Sequence, residues 1–132
     1  MPVPPSPEAL APVDITDAAI GALEARIVMP AGAEGLAEYD RYYSGVRLGE
    51  REGVHGVLLL RRAFGDISRG NMTPVEGMAN VYRGDAEKLP LVSDGGCSVV
   101  TLYFDLGAQE FVGLHREGMS VERAPAVCNG VA

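Results

Sequence analysis

The chain reads as an α+β domain, with one short N-terminal helix packed on one face of a twisted antiparallel sheet of about five to six strands. Three features lead there. Val54–Arg62 reads as the clearest strand, its residues dividing between two faces, and β-prone runs recur at Tyr39–Tyr43 and Cys97–Phe104. Turn residues separate these runs: Ser44-Gly45, the charged Gly49–Gly53 stretch, and Asp105-Leu106-Gly107-Ala108-Gln109. Residues 16–25 instead repeat apolar residues at three-to-four spacing, the mark of an amphipathic helix.

Residues 1–13 hold Pro2, Pro4, Pro5, Pro7 and Pro12. They predict an extended, weakly ordered arm, leaving residues 14–132 as one α+β domain. Asp14 or Thr16 can cap the helix, whose expected apolar stripe is Ile15, Ala18, Ala19, Ala22 and Leu23. Gly21 weakens it by about 1 kcal/mol relative to Ala, so it needs packing to persist. Ile27-Val28-Met29 predicts a short strand stopped by Pro30. In Leu36–Tyr43, helical and strand spacings compete. A strand is preferred, because tyrosines followed by Ser44-Gly45 suit a sheet and turn. It puts Tyr39, Arg41 and Tyr43 on one face and Asp40 and Tyr42 on the other.

Within Val54–Arg62, the residues Val54, Gly56, Leu58 and Leu60 share one face, and His55, Val57, Leu59 and Arg61 the other. Residues 63–74 carry turn chemistry and read as an excursion, Gly77–Tyr82 as a further strand, and Asp85–Leu89 as a connector with a helical turn. Cys97–Phe104 and Glu110–His115 predict a hairpin. A last short strand is expected through Met119–Val121 or Ala126–Cys128.

The 132 residues are 47% hydrophobic, enough for a core of their own. Net charge is -7, and the deficit is spread evenly over the two halves of the chain. No basic stripe exists to neutralise phosphates, which disfavours nucleic acid and anionic membrane surfaces as partners. No apolar run approaches the ~20 residues of a membrane-spanning helix.

Cys97 and Cys128 are the only cysteines, and each lies beside turn residues, Asp94-Gly95-Gly96 and Asn129-Gly130. This turn-flanked pair predicts a disulfide closing a loop of about thirty residues, worth about 3 to 4 kcal/mol in the chain-entropy model. Two buried, reduced cysteines are the alternative. A disulfide implies an oxidising compartment, periplasmic or extracellular. The first residues have neither a basic n-region nor an apolar h-region, so export implies a leader already removed. The alternative is a cytoplasmic protein with reduced thiols.

Other candidate chemistry is weighed against structural roles. Cys97 with His115 or His55 as base would make a nucleophile, but no nucleophile-elbow pattern accompanies it. His55, His115, Cys97 and Cys128 lack the paired short spacings of structural zinc, so no metal and no cofactor are expected. Tyr39, Arg41 and Tyr43 can orient a polar ligand or partner, with Asp94 and His115 as further candidates. Against that stands a plain sheet face, with Asp40 and Arg41 solvated and the tyrosines packed on Leu58 or Leu60. His55 would then be an outward strand residue.

The order Tyr39-Asp40-Arg41-Tyr42-Tyr43, Leu89-Pro90-Leu91, Asp94-Gly95-Gly96-Cys97-Ser98-Val99-Val100 and Cys128-Asn129-Gly130 resembles small uncharacterised bacterial proteins, usually exported. The resemblance spans roughly residues 28–132 and implies no activity. The chain departs from that group in a longer Phe111–Cys128 segment and in lacking a leader. The function expected is a non-enzymatic, exported binding or assembly domain held by one disulfide, its partner a protein or small molecule. The rival is a small enzyme or ligand-binding roll with a pocket lined by Tyr39, Arg41 and His115. A third reading is a homodimer through an exposed edge strand such as Gly77–Tyr82.

Overall fold

The computed structural model describes residues 13–65, 72–90, 92, 95–114 and 121–129. Helix α1 (Asp17–Glu24) precedes β1 (Tyr39–Leu48), β2 (Arg51–Leu60), the single helical turn α2 (Arg61–Phe64), β3 (Thr73–Pro74) and β4 (Val81–Arg83). The long β5 (Gly96–Asp105) follows, then β6 (Glu110–Leu114), β7 (Val121–Arg123) and β8 (Val127–Asn129). One sheet contains all eight strands found among the described residues, in the order β3-β4-β1-β2-β5-β6-β7, with β8 also pairing to β5. The α+β class therefore holds, with more strands than expected.

The sheet is not wholly antiparallel: β4 runs parallel to β1. The cause is topological. β2 ends level with the start of β1, where Leu60 pairs Tyr39. After β3 the chain comes back to that end, where the Asn80 carbonyl accepts the Arg41 N–H at 2.8 Å, and from there β4 runs with β1. The strand expected over Gly77–Tyr82 shrinks to Val81–Arg83, because Asn80 adopts a left-handed turn conformation (φ 64°). The Gly49–Gly53 turn tightens to Gly49-Glu50, and Arg61 leaves the β2 face to start α2.

Thr16 caps α1, its hydroxyl accepting the Ala19 N–H at 3.0 Å. The buried stripe is Ile20 and Leu23, while Ala18 and Ala22 are exposed. The expected stripe was rotated because alanines satisfy a spacing pattern without having much surface to bury. Ile20 and Leu23 contribute about 1.5–3 kcal/mol each by leaving water. They meet Tyr39, Tyr43, Val54, Leu58, Val100, Leu102 and Phe104 on the helix-side face. Gly56, opposite Tyr43, leaves room for that ring: a Cβ there would fall 2.8 Å from Tyr43 Cε1.

The other face is covered too. Tyr42, Val57, Leu59 and Val99 pack with Met72 and Leu89, and Val46 and Leu48 with Val112. Asp105 is fully buried where β5 turns. It pairs with Arg51, and its Oδ1 accepts the N–H groups of Gly107 (3.0 Å) and Ala108 (3.1 Å), which builds the hairpin turn read from the sequence. Burial alone would raise the pKa of its carboxyl, but Arg51 and these N–H groups outweigh burial and lower it.

Candidate functional site

Strand β1 carries Tyr39, Arg41 and Tyr43 onto the helix-side face, in the alternation expected. There they meet a residue that sequence reasoning missed, Glu24 in the last turn of α1. Arg41 grips its carboxylate with two hydrogen bonds, Nε to Oε2 at 2.9 Å and Nη2 to Oε1 at 2.7 Å. The Tyr43 hydroxyl donates to Oε2 at 2.6 Å. Arg41 Nη1 donates further to the carbonyls of Leu36 and Tyr39. The Glu24 side chain keeps 8% of its exposure.

Burial works against the Arg41 charge, yet the bonds to Glu24 outweigh it and raise its pKa above the ordinary value. Burial, reinforced by the Glu24 charge, pushes the Tyr43 phenol well above its usual range. The arrangement is a satisfied, fork-shaped ion pair that docks α1 on the sheet. Tyr39 is likewise committed: its hydroxyl accepts the Glu34 N–H at 3.1 Å and donates to the Cys97 carbonyl at 2.5 Å. Asp40, expected to be solvated, is fully buried, with Arg61 at 3.5 Å.

Cys97 and Cys128 form a disulfide across β5 and β8, with Cα atoms 4.5 Å apart. Both sulfurs rest against the Ala31 carbonyl, so the bridge also clamps the loop after α1. Gly95 and Gly96 both take positive φ, 120° and 56°, in the turn that presents Cys97. Strand β6 pairs β5 only at Tyr103–Asp105, and β8 occupies the β5 edge beside Cys97. Among the described residues, the hairpin return is thus paired to the far end of β5 from Cys97. Asp94 and His115 lie outside the described residues.

His55 points to the face away from Val54, as read, but it is not solvated. Its ring stacks on Tyr103 with centroids 4.4 Å apart. Burial lowers its pKa to about 4. Among the described residues, no three His, Cys, Asp or Glu side chains cluster as a metal site. None of the described helices is long and apolar enough to cross a membrane.

An accessible concave surface lies elsewhere. A cleft of about 480 Å³ opens between the segment leaving α1 and the outer strands. Arg26 and Val28 line it on the α1 side, and Gln109 through Phe111 with Arg123 through Ala126 on the strand side. Phe111 is braced edge-on by Phe104, centroids 4.8 Å apart. Its size and apolar lining fit a binding site. Val28 is 76% exposed. At the rim, Arg123 Nε bonds Glu110 Oε1 at 2.8 Å. The signal in the sequence was Ile27-Val28-Met29, a β-prone run. The strand expected there does not form: the run carries no secondary structure and enters no strand pairing.

No family model, curated protein or solved structure matches this chain.

Proposed function

We propose that this protein is a small exported binding or assembly module, held by the Cys97–Cys128 disulfide and acting through the apolar cleft. The cleft carries the reading. Its lining joins apolar packing residues to Arg26, Gln109 and the Arg123–Glu110 pair, which suits recognition by shape and charge. The tyrosines, Arg41 and both cysteines, which look chemical in the sequence, are engaged in holding α1, β5 and β8 together. The disulfide supports export, since such bonds persist in oxidising compartments.

The test is an intact mass after alkylation of denatured, unreduced protein, taken separately from the host's cytosolic and extracytoplasmic fractions. The reading requires protein in the extracytoplasmic fraction with no added alkyl groups. Two added groups on protein confined to the cytosol would overturn it.

A further inference from the structure

We propose that the cleft takes an extended, apolar peptide segment of a partner protein, with a carboxylate of that segment seated beside Arg26. The inference rests on the binding-module reading and gives it a ligand class.

Charge is the first argument. Seven of the eight arginines among the described residues have a carboxylate partner: Glu24 for Arg41, Glu52 for Arg47, Asp105 for Arg51, Asp40 for Arg61, Glu34 for Arg62, Asp17 for Arg83 and Glu110 for Arg123. Arg26 pairs with none among the described residues, although the chain carries 18 acidic residues against 11 basic ones. It lies at the rim of the cleft. A cation left unpaired by an acidic protein, at the edge of an apolar cleft, complements an anionic group on an apolar ligand.

Backbone is the second argument. Ile27 and Met29 pack into the core, and the alternate residue, Val28, faces the cleft. Burial thus alternates from residue to residue, as along one face of a strand, although the segment forms no strand here. The N–H groups of Val28 and Met29 donate to no described residue. An extended peptide can pair with such a segment, main-chain bonds supplying affinity and side-chain pockets selectivity. Pro30 has no N–H and ends the usable edge. The strand side carries Pro125, also without an N–H, so it offers apolar surface more than a second template. The peptide's apolar side chains would meet Val28, Phe111 and Pro125.

The experiment uses the full chain with its disulfide intact, exposed to a synthetic array of capped hexapeptides. These have apolar residues at alternating positions and Asp or Glu at one other position. A matched array has Lys in place of the acid. The acidic array should retain the protein about fivefold more strongly than the lysine array. Arg26→Glu should reverse that preference, and Val28→Asp should remove retention on both. Both variants change exposed side chains, and a parent-like urea midpoint checks that they fold. Equal retention on the two arrays, no retention, or retention untouched by Val28→Asp would overturn the proposal. A dimer in sedimentation that Val28→Asp dissolves would also overturn it, since the occupant would then be a second copy. None of these results depends on the alkylation and fractionation outcome, so failure of the ligand class and failure of the export reading are seen separately.

Discussion

Glu24 closes α1 and Arg26 lies two residues on, in the turn that leaves it, and they belong to different worlds. Glu24 turns inward, nearly buried, and holds Arg41 and Tyr43. Arg26 faces solvent at the rim of an apolar cleft, with no carboxylate partner among the described residues. The first region has the residue types that suggest chemistry, and its geometry satisfies every one of them internally. The second sets valine, phenylalanine, alanine and proline among a few charged and polar side chains, and it is open. Functional-looking composition and functional accessibility have parted. A buried ion pair is a means of registering one element on another, whereas recognition needs surface that the protein itself leaves uncovered.

The contrast can be broken at the buried side first. Arg41→Ala leaves the Glu24 carboxylate nearly buried without its fork, and should cost about 3–5 kcal/mol in urea unfolding. Glu24→Met with Arg41→Met removes both charges and should restore most of that loss; a double variant as unstable as Arg41→Ala would contradict the registering role. Reducing Cys97–Cys128, which are 31 residues apart, should lower stability by about 3 to 4 kcal/mol, read as the shift of the urea midpoint with reductant. Because Ala124–Ala126 leads directly into the strand bearing Cys128, reduction should also weaken peptide retention, sharpening the link between bridge and cleft.

Acid comes next. The His55 imidazole is neutral in the fold, its pKa lowered by burial from 6.5 to about 4. The unfolded chain takes up a proton first, so this stability is complete above pH 6.5 and is lost as pH falls towards 4. The loss is at most about 3 kcal/mol. His55→Gln should flatten that slope in urea midpoints measured across the window; an unchanged slope would mean another group carries it. At the open side, Val28→Asp and Arg26→Glu should move stability by only about 0.5 kcal/mol, in keeping with exposed positions.

How much of this was legible follows from which interactions are local. The two faces of Val54–Leu60, a helix cap at Asp14 or Thr16 and the Asp105 turn depend on neighbours in sequence and could be read there, the structure choosing Thr16 as the cap. The pairing of the two cysteines was legible because the chain offers no other thiol. The β1 face was also read correctly, but its partner was not: Glu24 is one acid among 18, and nothing local separates it from the solvated ones. Ile27-Val28-Met29 had the signal of a strand but forms none, because pairing is settled by distant segments. The parallel β4 escaped for the same reason. A cleft assembled from Arg26, Phe111 and Pro125 has no motif at all, since its residues meet only after the outer strands fold back.

The account's central claim is that recognition occurs at the cleft and not at the tyrosine strand. The most direct test is amide chemical-shift mapping of the disulfide-bonded protein titrated with a retained acidic hexapeptide. The account predicts shifts concentrated at Arg26–Met29, Phe111 and Arg123–Ala126, with Tyr39–Tyr43 nearly still. Shifts centred on Tyr39–Tyr43, with Val28 and Phe111 unmoved, would contradict it.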